Sequence, residues 1–169
     1  MLQRLRAILW AYVIASLCSG FAIAFVMLFS TWVAMLWRGE WEAATAQAFV
    51  GPFWLGMIGL FASVEVGAFA LAPALPTIIV AEAARIRSPR FYGLAGGVAG
   101  PSAYYTYAFW NDVGPFASPH RPHQTTTETA LSAAGFGLIL VLAGLIGGLT
   151  YWRLAGKRAG EWRGSNATD

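Results

Sequence analysis

The stretch that decides the fold is Val64–Arg90, VEVGAFALAPALPTIIVAEAARIRSPR. It sets one carboxylate, Glu65, inside an apolar run, interrupts the run at Pro73 and Pro76, and closes on Glu82, Arg85, Arg87 and Arg90. The chain around it has 169 residues, 57% of them apolar and 11% charged, with eight Trp. A soluble domain carries roughly 25% charged residues. A chain this short cannot hide so much apolar surface in a core of its own, whereas a bilayer accepts it on helix exteriors. The reading is an all-α integral membrane protein in one membrane domain, residues 1–169, with no length left for a separate soluble one.

Outward from that stretch, apolar runs alternate with short polar links. The run holding Glu65 is expected to span 50–87, with Pro52 near its start, where proline is tolerated. A kink belongs near 73–76, because each proline there removes a backbone donor and disturbs the preceding turn. Before it, Arg38–Gln47 (RGEWEAATAQ) is a polar connection, preceded by an uncharged run, Ala7–Trp37. That run is too long for the 7–15 apolar residues of a signal peptide, so it is read as a retained span. At 1.5 Å per residue it reaches about 46 Å, against about 30 Å of hydrocarbon, so it must tilt or project. Ser16, Gly20 and Ala24 give it a ridge of small residues where another helix can come close.

After the stretch, Ser88-Pro89-Arg90 predicts a turn, since the residue before proline avoids helical dihedrals. A third span is expected over 91–110, rich in glycine (Gly93, Gly96, Gly97, Gly100) and holding Pro101. Residues 111–128 form an external loop, 129–152 a fourth span, and 153–169 a polar tail. Gly137, Gly144 and Gly148 fall near one face of the fourth span, and Gly93 and Gly97 serve as packing positions on the third.

Lysine and arginine in short loops set orientation. With four spans and both termini cytoplasmic, the inner side holds Arg4, Arg6, Arg85, Arg87, Arg90, Arg153, Lys157, Arg158 and Arg163, while the outer side holds Arg38 and Arg121. The net charge of +3 is then a topology signal, and no nucleic-acid partner is expected. Trp10 and Trp152 near one interface and Trp37, Trp41 and Trp110 near the other agree with these boundaries.

The segments LAPALPTIIVAEAARIRS (71–88) and GGLTYWRLAGKRAG (147–160) resemble small inner-membrane proteins of alphaproteobacteria, rhizobia especially. Those proteins have a Pro-Ala-rich helix running to Glu-Ala-x-x-Ile-Arg and a Tyr-Trp-x-x-Ala-Gly close. The resemblance covers about half the chain and implies a bacterial inner membrane. It implies no activity, because the group has none assigned. The third span departs from the group's pattern in being more polar and aromatic.

Glu65 is the costly residue. A charged carboxylate at the bilayer centre costs about 2.5–3.5 kcal/mol, and each Leu, Ile, Phe or Val returns about 0.3–0.6 kcal/mol, so its neighbours roughly offset it. Gly59, Ser63 and Gly67 form a small-residue ridge, and at 100° per residue Glu65 points nearly opposite, toward another neighbour, a cavity or a partner subunit. No Lys, Arg or His lies within a span to pair with it. Two readings stand: a carboxyl held by hydroxyls such as those of Ser16, Ser19, Ser102, Tyr104 or Tyr105, or a functional intramembrane acid. Glu82 and Arg85, at i,i+3, are expected to pair locally at the interface.

Chemistry is otherwise sparse. Cys18 is the single cysteine, which excludes an intramolecular disulfide, and Leu17 before it does not suit a lipobox. His120 and His123 are the weak candidates for a metal pair, but Pro119 and Pro122 deny them a helix and no metal is expected. CxxCH, HExxH, GxSxG, GxGxxG and Walker patterns are all missing, so no cofactor and no catalysis are expected. The expected function is a non-catalytic accessory, assembly or scaffolding component, meeting the bilayer and, through its small-residue faces, other membrane subunits or a second copy. The alternative is a small transporter or channel subunit with Glu65 in a proton or cation path.

Overall fold

Only Arg38-Gly39-Glu40 separates the first two helices, and the link shows how the chain reverses. In the computed structural model, which describes the backbone of residues 2–113 and 126–159 and the side chains of 3–103 and 135–159, α1 covers Leu2–Trp37 and α2 covers Trp41–Ala83. Gly39 takes a left-handed φ of 75°. The N–H of Glu40 then reaches the Met35 carbonyl (3.0 Å) and that of Gly39 reaches Leu36 (3.1 Å), which closes α1 with a Schellman motif. The expected polar connection 38–47 is therefore much shorter. Residues 41–49 are helical because nothing in WEAATAQAF opposes a helix and Glu42 sits favourably in its first turn.

The helix α2 continues without interruption past Pro52, Pro73 and Pro76. The expected kink near 73–76 therefore falls inside a continuous helix; prolines are tolerated in such helices when neighbouring groups re-satisfy the backbone. It ends at Ala83 rather than at 87. There Ile86 N–H bonds the Ala81 carbonyl at 2.9 Å, and Arg85 holds a left-handed φ of 54°. This is the same helix stop as at Gly39, with arginine where glycine is the easy residue, at a local cost of about 1–2 kcal/mol. Ile86 packs against buried Ala81, the apolar contact that accompanies the motif.

The remaining elements are α3 (Pro89–Val113), α4 (Thr126–Leu154) and a 3-10 turn at Gly156–Arg158. Contacts between neighbouring helices run in opposite directions. Ser16 and Gly20 of α1 meet Gly67 and Ser63 of α2, while Gly96 and Gly100 of α3 meet Gly144 and Leu140 of α4. Between the pairs, α1 packs along α4, whereas α2 and α3 touch least. The result is an up-down-up-down bundle of two tight pairs, joined firmly on one side.

Its interior is made of small residues. Among the described residues Ala11, Ala15, Ala24, Ala44, Ala81, Ala103, Ala143 and Ala155 are buried, joined by Ile23, Tyr92, Leu140 and Tyr151, and no large side chain is completely buried. The large apolar side chains face outward: Phe49 is 82% exposed, Val64 71%, Leu94 71% and Phe61 67%. Water would drive these groups inside, whereas lipid has no such preference and rewards close backbone packing instead. Among the described residues α1, α2 and the Gly135–Leu154 part of α4 are long and apolar enough to cross a membrane. The chain is a helical membrane protein by this inverted packing as well as by span length.

Candidate functional site

Two places bring polar groups together. The first is the loosely closed side of the bundle. A cleft of about 470 Å³ lies between the helix pairs, lined by residues of all four helices. Ser16, Ser19 and Ile23 of α1, Val66 and Phe69 of α2, Ala95 and Ala99 of α3, and Phe136 of α4 form much of its wall. Glu65 stands on the α2 edge of the cleft and, among the described residues, is the only carboxylate there, with no Lys, Arg or His in the lining. The ridge Gly59, Ser63 and Gly67 faces α1: Phe21 lies over Gly59, Ser63 donates to the Leu17 carbonyl (3.3 Å), and Tyr12 donates to that of Gly67 (2.7 Å). That packing turns Glu65 away from α1 and onto the cleft.

The hydroxyls that the sequence offers Glu65 are committed elsewhere. Ser16 Oγ donates to the Tyr12 carbonyl (3.0 Å), Ser19 Oγ to Ala143 (2.9 Å) and Ser102 Oγ to Val98 (2.8 Å). Thr77, farther along the cleft, donates to Pro73 (3.1 Å). The side chains of Tyr104 and Tyr105 lie outside the described residues. Among the described residues Glu65 forms no hydrogen bond and no ion pair.

The second place is the arginine-rich end of the bundle. Arg4 Nη2 donates to Glu82 Oε1 at 2.6 Å and to the Ala155 carbonyl at 2.9 Å, with both side chains mostly buried. Glu82 therefore pairs across helices with α1. Arg85, the i,i+3 neighbour expected to pair with it, follows the end of α2 at Ala83 and takes a left-handed φ of 54°. Arg85 and Arg90 are exposed, while Arg87 Nε donates to the Ala159 carbonyl (3.2 Å). Trp152 Nε1 donates to the Arg87 carbonyl (2.8 Å), and Lys157 sits 4.9 Å over the Trp152 ring. Tyr92 and Tyr151 lie beneath, with ring centroids 5.7 Å apart, and Tyr92 donates to the Ile86 carbonyl. This cluster ties four segments together.

The glycine positions divide. Gly144 and Gly148 of α4 lie against the α3 backbone at Gly96 and Tyr92. On α3 the close approach is made by Gly96 and Gly100, whereas a Cβ on Gly93 or Gly97 would meet Leu149 or Val141 at ordinary contact distances of 3.4 and 3.8 Å. Nothing lies within 4 Å of a Cβ at Gly137, so it takes no part in packing among the described residues. His120 and His123 lie outside the described residues.

Sequence reasoning missed Arg4 because it counted the residue only as a topology charge. A partner 78 positions away leaves no local signal. Fold and site together define a helical membrane protein with an apolar, acid-bearing cleft. No family model, no curated protein and no solved structure matches the chain.

Proposed function

We propose that the chain is a non-catalytic multi-pass protein of a bacterial inner membrane and works as a small transporter or channel subunit, with Glu65 in a proton or cation path. The observation that carries this reading is Glu65 on the wall of a cleft between helix pairs, without a counter-ion among the described residues. Intramembrane acids in such positions mark ion and substrate routes. The sequence favours an accessory component instead, on the strength of its small-residue ridges. Those ridges pack on each other inside the bundle: Ser16 and Gly20 on Gly67 and Ser63, and Gly96 on Gly144. They are thereby removed as surfaces for partners. The accessory or scaffolding reading keeps one feature, the outward aromatic face of α2 at Phe49, Phe53 and Phe61.

In this reading α3, about 37 Å long at 1.5 Å per residue, also crosses the membrane, which makes four spans and puts both chain termini in the cytoplasm. Support comes from the alternating helix directions and from the basic residues gathered at one end. Single cysteines placed at residues 39 and 157, in a Cys18→Ala background, test the orientation. An impermeant maleimide applied to spheroplasts should label position 39 and spare 157, and the reverse pattern would invert the topology.

The functional reading is tested in proteoliposomes carrying an internal pH-sensitive dye and an imposed potassium-diffusion potential. The wild-type chain should admit protons at least tenfold faster than empty liposomes. Glu65→Gln should lose most of that flux while keeping its helical signal and its gel-filtration position. Wild-type liposomes no leakier than empty ones would remove the proton path.

A further inference from the structure

We infer that the cleft binds a slender lipophilic amine, a single long hydrocarbon chain with one positive charge, and that its ammonium group sits on Glu65. The inference names a ligand class for the site just proposed and rests on that reading for its location. Four observations carry it.

Charge comes first. Among the described residues Glu65 is the only carboxylate on the wall and no basic side chain lines the cleft, while the Ser16 and Ser19 hydroxyls of the same wall donate to the Tyr12 and Ala143 carbonyls. A carboxylate beside apolar surface needs a cation or donors. The described residues of the wall supply neither, and an ammonium supplies both, with three N–H groups for the carboxylate oxygens. An anionic ligand would meet Glu65 as a like charge, and a neutral alcohol would bring one donor and no charge.

Shape comes second. Along α2 the cleft runs from Ile58 to Ile78, about 30 Å at 1.5 Å per residue. Its volume of about 470 Å³ spread over that length leaves room for one extended chain.

The lining comes third. Ala62, Ala70, Ala95, Ala99 and Val66 offer apolar contact and no hydrogen-bonding demand. Access comes last: α2 and α3 are the least tightly packed neighbours, and Glu65 at their side is exposed. A ligand dissolved in the bilayer reaches the carboxylate sideways without crossing the aqueous ends of the bundle.

The test uses the full chain in detergent micelles and native mass spectrometry, with hexadecylamine, hexadecanol and hexadecanoate as matched probes. Hexadecylamine should bind one per chain, at least tenfold more tightly than hexadecanol, and hexadecanoate should bind most weakly. Glu65→Gln should lose tenfold or more for the amine and change the alcohol less than threefold, whereas Glu65→Asp should keep most amine binding. Ala99→Phe, which fills the α3 wall, should reduce all three. Equal affinity for amine and alcohol, or amine affinity unchanged in Glu65→Gln, would overturn the inference and leave a cleft that merely holds hydrocarbon. Selective amine binding with no proton flux would remove the proton path alone. Proton flux without selective amine binding would remove the amine alone.

Discussion

Gly144→Val should separate α3 from α4 and lower the stability of the bundle by about 3 kcal/mol, at the upper end of what overpacking costs. The reason is what the new side chain meets. A Cβ at Gly144 falls against the Gly96 carbonyl, with that carbonyl's carbon at 2.9 Å and the Gly100 nitrogen at 3.2 Å. All of these are backbone atoms, so no rotamer change relieves the overlap and the helices themselves must part. The same contact repeats one turn on, where Gly148 meets the Gly96 Cα at 3.2 Å. Gly137→Ala is the control, because nothing lies within 4 Å of its Cβ. It should be neutral or stabilising by up to about 1 kcal/mol through helix propensity. Unfolding midpoints on titrating SDS into mild-detergent micelles compare the two, and equal midpoints for Gly144→Val and wild type would refute the packing described for α3 and α4.

The second large effect is at the arginine-rich end. Arg4→Ala should cost about 3 kcal/mol, since removing one member of a buried ion pair leaves the other's charge in a poor environment. Arg4 and Glu82 are 16% and 13% exposed, too little for water to replace the lost partner. The substitution also strips the Ala155 carbonyl of its 2.9 Å donor. The double variant Arg4→Met with Glu82→Met should recover much of the loss, because two apolar side chains of similar length fill the same space without a charge to solvate. The same SDS titration reads both, and a double variant no better than Arg4→Ala would show that Glu82 answers to other groups more than to Arg4.

How much of this was legible in the sequence depends on the reach of each signal. The alternation of apolar runs and short links gave the helices, because span length and hydropathy are local properties. Gly39 as a turn is local too. Arg85 is not legible in the same way: it takes a left-handed φ of 54°, and arginine carries no sign of it. The ridge Ser16, Gly20, Ala24 and the ridge Gly59, Ser63, Gly67 are both visible as small residues four apart, and they face each other. On α3 the same spacing is ambiguous, since Gly93/Gly97 and Gly96/Gly100 are both four apart and only the partner helix chooses between them. Gly96 and Gly100 win because Tyr92, one turn earlier on that face, is buried against α4 and α1.

Glu65 shows the same division. Its cost and its direction away from the ridge follow from composition and from 100° per residue. The cleft does not, because it exists only where α2 and α3 fail to close, and that requires four helices in place. Nor does the hydroxyl count decide its environment: Ser16 and Ser19 look available in sequence until each is seen donating to a carbonyl.

The bridge from Arg4 to the Ala155 carbonyl also sets a clock. Its two ends are 151 residues apart in sequence, so at about 5–20 residues per second of synthesis Arg4 waits roughly 8–30 s for that acceptor. Glu82, 78 residues from Arg4, emerges about halfway through that interval. The first helix pair can therefore assemble with its ion pair made while the second pair is still being translated. The fold is then fastened by one of the last stretches of the bundle to leave the ribosome, and a nascent chain stalled before residue 155 should hold its first hairpin without the final fastening.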